Sequence, residues 1–235
     1  MKGVRLHIKG NWGQFRRPET NNNPLSHDFM TKTALIGMIG AVLGKDRTNM
    51  KFLFPILSTD LKYGVQINNE VKKQSWGFTF RSVSSAWEKA PKQMEIIRNP
   101  DYTVMICLLD HATEASKEIF TAFVQSCKDG KSWYEPVLGL HNCPAEIEFI
   151  EEGSFEYVSG GSFSTKGFVT SKHKPEGFDM VNFRIGFDKV PTFQNDDFWN
   201  LPEKYVSVIY PSEDKEITVS GEHYFFNHDS EWCLI

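Results

Sequence analysis

Apolar and polar positions alternate with period two over residues 4–8, where Val4, Leu6 and Ile8 share one face, and this predicts a first strand. A polar loop, residues 10–26, follows it. The pattern then lengthens to a helical period over residues 31–43, with Asp28 or Thr31 as candidate caps and Gly44 as the stop. Residues 61–67 read as a second strand. Residues 102–109 (YTVMICLL) read as a third, apolar enough to be covered on both faces. A second helix is predicted over about 113–126, with Ala115, Ile119, Phe120 and Phe123 inward and Gly130 behind it. Residues 145–150 (AEIEFI) make a fourth strand.

The resulting order, β-α-β-β-α-β, predicts an α+β fold of the ferredoxin-like or RNA-recognition-motif-like kind. An insert, residues 68–100, separates the second and third strands. It is basic (Lys72, Lys73, Arg81, Lys89, Lys92, Arg98) and aromatic (Trp76, Phe78, Phe80, Trp87). Residues 76–83 and 94–97 are expected to form the arms of a projecting hairpin, and an insert of that length in a compact domain usually has a function. Beyond residue 150, short aromatic strands (155–158, 180–187, 205–209 and 217–226) alternate with Gly, Pro and acidic turns. The expected organisation is an RNA-recognition-like domain over 1–150 and a β-rich C-terminal region over 151–235, packed on it.

Charge sharpens this division. The net charge of the 235 residues is −4, yet residues 1–110 hold 16 Lys and Arg against 9 Asp and Glu, whereas residues 111–235 hold 10 against 21. A basic half joined to an acidic half suggests one face for a polyanion and another for a protein neighbour, the alternative being ordinary fluctuation of surface charge. The first ten residues lack an apolar signal stretch, and the longest near-apolar run, 34–43, is about half of what a bilayer needs. Neither secretion nor a membrane span is expected. Cys107, Cys127, Cys143 and Cys233 are scattered with no CxxC pair, which fits a reduced cytoplasm and speaks against a disulfide framework or a zinc ribbon.

The loop GNWGQFRRP sets Arg16 and Arg17 beside Trp12 and Phe15, a combination able to grip phosphates and stack bases together. It leads to the helix start Thr31-Lys32-Thr33, where free N–H groups and the helix dipole favour an anion. The competing reading makes Trp12 and Phe15 core plugs and leaves the arginines in solvent. Gly37 and Gly40, three apart within the helix, allow another backbone to approach closely; a protein strand is the commoner partner and a nucleic acid the rarer one. No GxxxxGK[ST] phosphate loop occurs. In the insert, Trp76, Phe78 and Phe80 fall on one strand face, either for stacking bases or for packing on a neighbour. The histidines lack metal-site spacing. His111, after Asp110, is a capping or surface residue, or else a general acid/base for RNA cleavage.

GNWGQFRRPETNNNP, followed by SHDFMTKTALIGMIGAVLGKD, resembles the N-terminal signature of the CRISPR-associated Cas-five family, in which a Gly-aromatic-x-x-Phe-Arg loop precedes a Gly-containing first helix. YEPVLGLHNCP, residues 134–144, is similar to that family's Tyr-Leu-Gly-x-x-x-Cys-Pro segment, and residues 219–235 to its closing β segment. The first helix and acidic tail look most like the type I-B branch. The resemblance implies an antiviral-defence subunit of a Cascade ribonucleoprotein complex. It implies an RNA-recognition-like (RAMP) domain, a β-hairpin thumb, and partners comprising the crRNA 5′ handle, a backbone subunit and a large subunit, with target DNA met only through the complex. By position, Trp12, Phe15, Arg16, Arg17 and Lys32 would face RNA at the loop and helix start, and Lys72, Lys73, Trp76 and Arg81 on the thumb. No cofactor is implied. The type I-C branch of the family cleaves precursor crRNA with Tyr, Lys and His side chains. Here a carboxylate, Asp110, stands beside His111 where that branch would have Lys, and it would oppose charge developing at a scissile phosphate. The expectation is therefore a non-catalytic subunit, the alternative being a metal-independent endoribonuclease.

Overall fold

In the computed structural model, residues 1–20, 22–81, 89–176, 184–196 and 201–235 are described, with the side chains of Phe80 and Arg81 excepted. A six-stranded sheet carries the core. Its spatial order is Ser230–Trp232, His223–Phe226, Glu146–Val158, Lys2–Lys9, Asp101–Leu108, Leu61–Ile67. Every neighbouring pair is antiparallel. The four strands expected from alternation are all present, in the order fourth, first, third, second. Val4, Leu6 and Ile8 are fully buried, as the period-two pattern requires.

Among the described residues three helices cover the sheet: α1 (Lys32–Val42), α2 (Arg47–Asp60) and α3 (Glu114–Lys128). Thr31 caps α1, its Oγ1 accepting from the Ala34 N–H at 3.3 Å, and Gly44 ends it at φ +66°. Thr113 caps α3 in the same way, and Gly130 follows at φ +61°. The inward stripe of α3 is Ser116, Phe120, Phe123, Val124 and Cys127, while Ala115, expected inside, is exposed. The phase is one residue later than alternation of small apolar side chains suggested, because Ser116 is drawn in by Asp60, whose Oδ2 also accepts from the Thr113 N–H and hydroxyl.

The helix α2 was not expected. Pro55 interrupts its apolar run and removes one helical donor, so the local signal reads as a break. Packing overrides it: the Asp46 carboxylate caps the helix at the Asn49 N–H (2.8 Å), and Met50 covers Gly40 of α1. At Gly40 the close neighbour is therefore a helix side chain rather than a strand backbone.

The insert forms the expected hairpin with longer arms, Lys72–Arg81 paired to Lys89–Arg98 from Lys72↔Arg98 to Arg81↔Lys89. Val83 and Trp87 lie outside the described residues. Trp12–Gly13 pairs with Arg98 and Ile97, adding a third strand. In the C-terminal half, Lys204–Pro211 lies between Val169–Thr170 and Ile185–Phe193, and Ile217–Ser220 between Ser162–Thr165 and Lys174–Pro175. Of the strand expected over 180–187, residues 180–183 lie outside the described set. The run 217–226 divides at Gly221 into two strands that join different sheets. Residue 150 falls inside the strand Glu146–Val158, which pairs with the first strand at one end and with His223–Phe226 at the other. Among the described residues no helix is long and apolar enough to cross a membrane.

Candidate nucleic-acid interface

The first strand ends at Lys9 opposite Asp101, and the second at Ile67 opposite Tyr102, so the loop and the hairpin leave the sheet at the same end. They are then stitched together. Trp12 meets Trp76 edge-on at 4.8 Å between ring centroids, half-buried on both sides. Lys73 Nζ lies 2.6 Å from Asp28 and 2.7 Å from Glu95, and donates to the Ser26 carbonyl at 2.6 Å. The Glu95 N–H donates to the Pro24 carbonyl at 2.9 Å, and Lys92 pairs with Asn22. Within the loop, Phe15–Arg16 pairs with Ser26–His27 as a small ladder.

A third piece closes this end. Gly139, in the YEPVLGLHNCP segment, sits at φ +90°, and a Cβ there would lie 1.9 Å from the Gln14 carbonyl oxygen. The close approach lets the Gln14 N–H donate to the Leu138 carbonyl at 2.9 Å. Between this segment, the loop and α1 runs a cleft of about 560 Å³, lined in part by Gln14, Arg16, Thr31, Thr33, Gly37 and Phe54. The two helix glycines therefore differ: a Cβ on Gly37 would meet only the Phe54 ring, at 3.9 Å. Thr33 belongs to the helix start singled out from the sequence, whereas Gln14 and Phe54 were missed. The one signal for them was Gly37, a glycine inside a predicted helix.

The predicted site residues divide into three groups. Trp12, Arg16, Lys72, Lys73 and Trp76 come together at the loop and hairpin. Arg16 is exposed and donates to the Thr20 carbonyl at 3.1 Å, and Lys72 is exposed beside Glu70 at 3.2 Å. Arg81 is in the hairpin strand, but its side chain lies outside the described residues. Three candidates need correction. Phe15 is 3% exposed and packs against Tyr102, so its ring is a core plug, as the competing reading had it; burying such a ring contributes about 2–3 kcal/mol. Arg17 is turned inward to the buried Asp188 at 2.8 Å. Lys32 stands at the helix start, but its side chain is 5% exposed and donates to the Ser58 carbonyl at 2.9 Å, away from the loop. Burial, reinforced by the like charges of Lys62 and Lys204, brings its ammonium down to about 7.

His111 is exposed and follows the Leu108 end of the third strand, which pairs with Lys2, whereas the loop leaves from Lys9. Seven residue-to-residue steps separate the two ends, roughly 24 Å at the usual rise. Among the described residues, no group of His, Cys, Asp and Glu is arranged to hold a metal ion.

Among curated proteins no sequence matches the chain. A crystal structure of a CRISPR protein from Archaeoglobus fulgidus superposes with a TM-score of 0.61 at 14% identity, over 99% of this chain and 98% of that one. A chain of a CRISPR RNA-guided surveillance complex superposes with a TM-score of 0.52 at 12% identity, over 92% and 91%. At such identities the likeness is one of fold. The sequence carries the closer relationship: residues 3–198 match the family model described as CRISPR-associated protein (Cas_Cas5), and the chain belongs to that family.

Proposed function

We propose that this protein is a non-catalytic, RNA-binding subunit of a type I CRISPR effector complex, of the I-B kind, holding the 5′ handle of the crRNA and capping the backbone of the complex. The observation that carries the reading is the convergence of two sequence-distant basic and aromatic segments, the loop after the first strand and the hairpin arms Lys72–Arg81 and Lys89–Arg98, at one end of the sheet, with Trp12 against Trp76. Phosphates would be held by Arg16, Lys72 and neighbouring hairpin cations, and bases would stack on the ring faces that the two indoles leave exposed. The sheet order fourth-first-third-second, with every pair antiparallel, supports a ferredoxin-like topology under this surface. The position of His111 at the other end of the strands, beside Asp110, favours binding without cleavage over the endoribonuclease alternative.

Filter binding of repeat-derived RNA across a salt series tests this. Arg16→Ala with Lys72→Ala is expected to weaken binding and to lower the slope of log affinity against log salt by about one unit per lost phosphate contact. Equal affinity for repeat-derived and scrambled RNA, or an unchanged salt slope in the double variant, would overturn the assignment. Incubation with labelled repeat RNA in EDTA separates the alternative, because cleavage lost in His111→Ala would establish an enzyme.

A further inference from the structure

A second cleft, of about 630 Å³, opens where the start of α1 and the end of α2 meet the C-terminal strands, and it shares no lining residue with the cleft beside the loop. Four lysines line it: Lys32, Lys62, Lys172 and Lys204. They come from four separate elements, so the cluster is a product of the tertiary fold rather than of a basic run. Among the described residues none of the four has a carboxylate within ion-pair distance. Lys32 is more than nine-tenths buried, and among the described residues the Ser58 carbonyl is its one acceptor, which leaves two ammonium protons without a partner there. Lys62 donates to the Tyr224 hydroxyl at 2.8 Å, and Lys204 lies over the Phe193 ring at 4.7 Å. Glu222 on the cleft wall accepts from the Tyr157 hydroxyl at 2.9 Å, and Ile235, the last residue of the sequence, lines the cleft as well.

A fold does not gather unpaired cations around a buried one for stability, since each raises the cost of charging the others. Such a cluster is compensated when an anion enters. Thr170 and Ser171 line the same cleft, and so do the aromatic residues Phe193 and Tyr205, each with a lysine over its ring. The volume is that of a small-molecule site rather than a seat for a bare ion. We propose that this cleft binds a phosphate group, with Lys32, Lys62 and Lys204 holding its oxygens and the Phe193 and Tyr205 side accepting the organic part of a nucleotide-sized ligand. The site is independent of the loop and hairpin that carry the proposed RNA contacts.

Calorimetric titration and thermal melts of the full chain, at fixed ionic strength, test the site with inorganic phosphate, AMP and adenosine as probes. Phosphate and AMP are expected to bind and to raise the melting temperature above that in matched chloride, and adenosine is not. AMP binding more tightly than phosphate would assign a nucleotide, and equal affinities an inorganic ion. Lys204→Gln, at an exposed position, is expected to weaken phosphate binding about tenfold, in line with loss of one charged hydrogen bond. Lys32→Met is expected to bind at least tenfold more weakly while melting at a higher temperature than the parent without ligand, a gain that a purely structural lysine would not give. Arg16→Ala with Lys72→Ala is expected to leave phosphate affinity unchanged, so the two sites can fail separately. Absence of a phosphate-specific shift in the parent, or unchanged affinity in Lys204→Gln, would overturn the proposal.

Discussion

Arg17 Nη2 donates to Asp188 Oδ2 at 2.8 Å, across 171 positions of sequence, and His27 Nδ1 lies 2.9 Å from the same oxygen. Both the Asp188 and His27 side chains are fully buried. This contact fastens the loop to the strand Ile185–Phe193, and it commits the guanidinium of one of two adjacent arginines to a buried carboxylate. Burial by itself would push the Asp188 carboxyl up, but the His27 hydrogen bond and the charges of His27 and Arg17 outweigh it and hold the group below its ordinary value.

The sign of the pH dependence follows. A depressed carboxyl contributes stability that is complete above its unfolded value near 4 and is lost as pH falls through the folded value. Asp188→Asn is expected to lose about 2–4 kcal/mol at pH 7, the penalty of stranding a buried partner. Urea unfolding between pH 2.5 and 7 checks it: the gap between parent and variant should narrow below pH 4. A constant gap across that range would exclude the ion pair as its source.

Lys32 carries the opposite dependence. Its folded value, about 7, lies below the unfolded 10.5, so between these values the unfolded chain binds more protons and stability rises with pH. The penalty of holding the charged ammonium in this buried site is present in full below pH 7 and is relieved toward pH 10.5. Lys32→Met should flatten the parent's rise over pH 7–10 and add at most about 5 kcal/mol at pH 6. The comparison is made between the two proteins at each pH, because Tyr205, Glu222, Lys62, Lys172 and Lys204 also face the cleft.

The two glycines of α1 offer a matched pair. Gly37→Ala meets no close neighbour and should stabilise the helix by about 1 kcal/mol. Gly40→Ala places its Cβ 2.4 Å from Met50 Sδ and forces that side chain aside, so the propensity gain is offset or reversed. Chemical denaturation should show a clear difference between the variants; equal gains would show that α2 does not press on Gly40.

Gly139→Ala combines a left-handed φ of +90° with a Cβ driven into the Gln14 carbonyl. A loss of at least about 2 kcal/mol is expected, together with release of the loop from the Leu138 carbonyl. Hydrogen exchange at the Gln14 amide reports the second effect directly. An amide as protected as in the parent would mean that the segment does not hold the loop.

Trp76→Ala removes the indole that backs Trp12 and is expected to weaken RNA binding by about 1–3 kcal/mol under the proposed function. Since the ring is half-buried, melting should be followed in parallel, and lost affinity with an unchanged melt would locate the effect at the surface.

Much of this molecule is local in origin. Alternation over residues 4–8, the Thr31 and Thr113 hydroxyls before apolar helical runs, and Gly44 and Gly130 behind them are short-range signals, and they place strands and helices because capping and pleat geometry act within a few residues. The order of elements and the basic, aromatic insert were legible in the same way, and the run from Gly10 to Gly44 was enough to point to the family. The fate of individual side chains was not. Arg16 and Arg17 are identical in type and adjacent, and only a carboxylate 171 residues away separates them. Lys32 was legible as a helix-start cation, but packing at the end of α2, where it donates to the Ser58 carbonyl, decides that it is buried, and Phe15 becomes core because its ring packs against Tyr102. Burial and charge pairing depend on what long-range packing brings within a few ångströms, and that is a property of the tertiary structure alone.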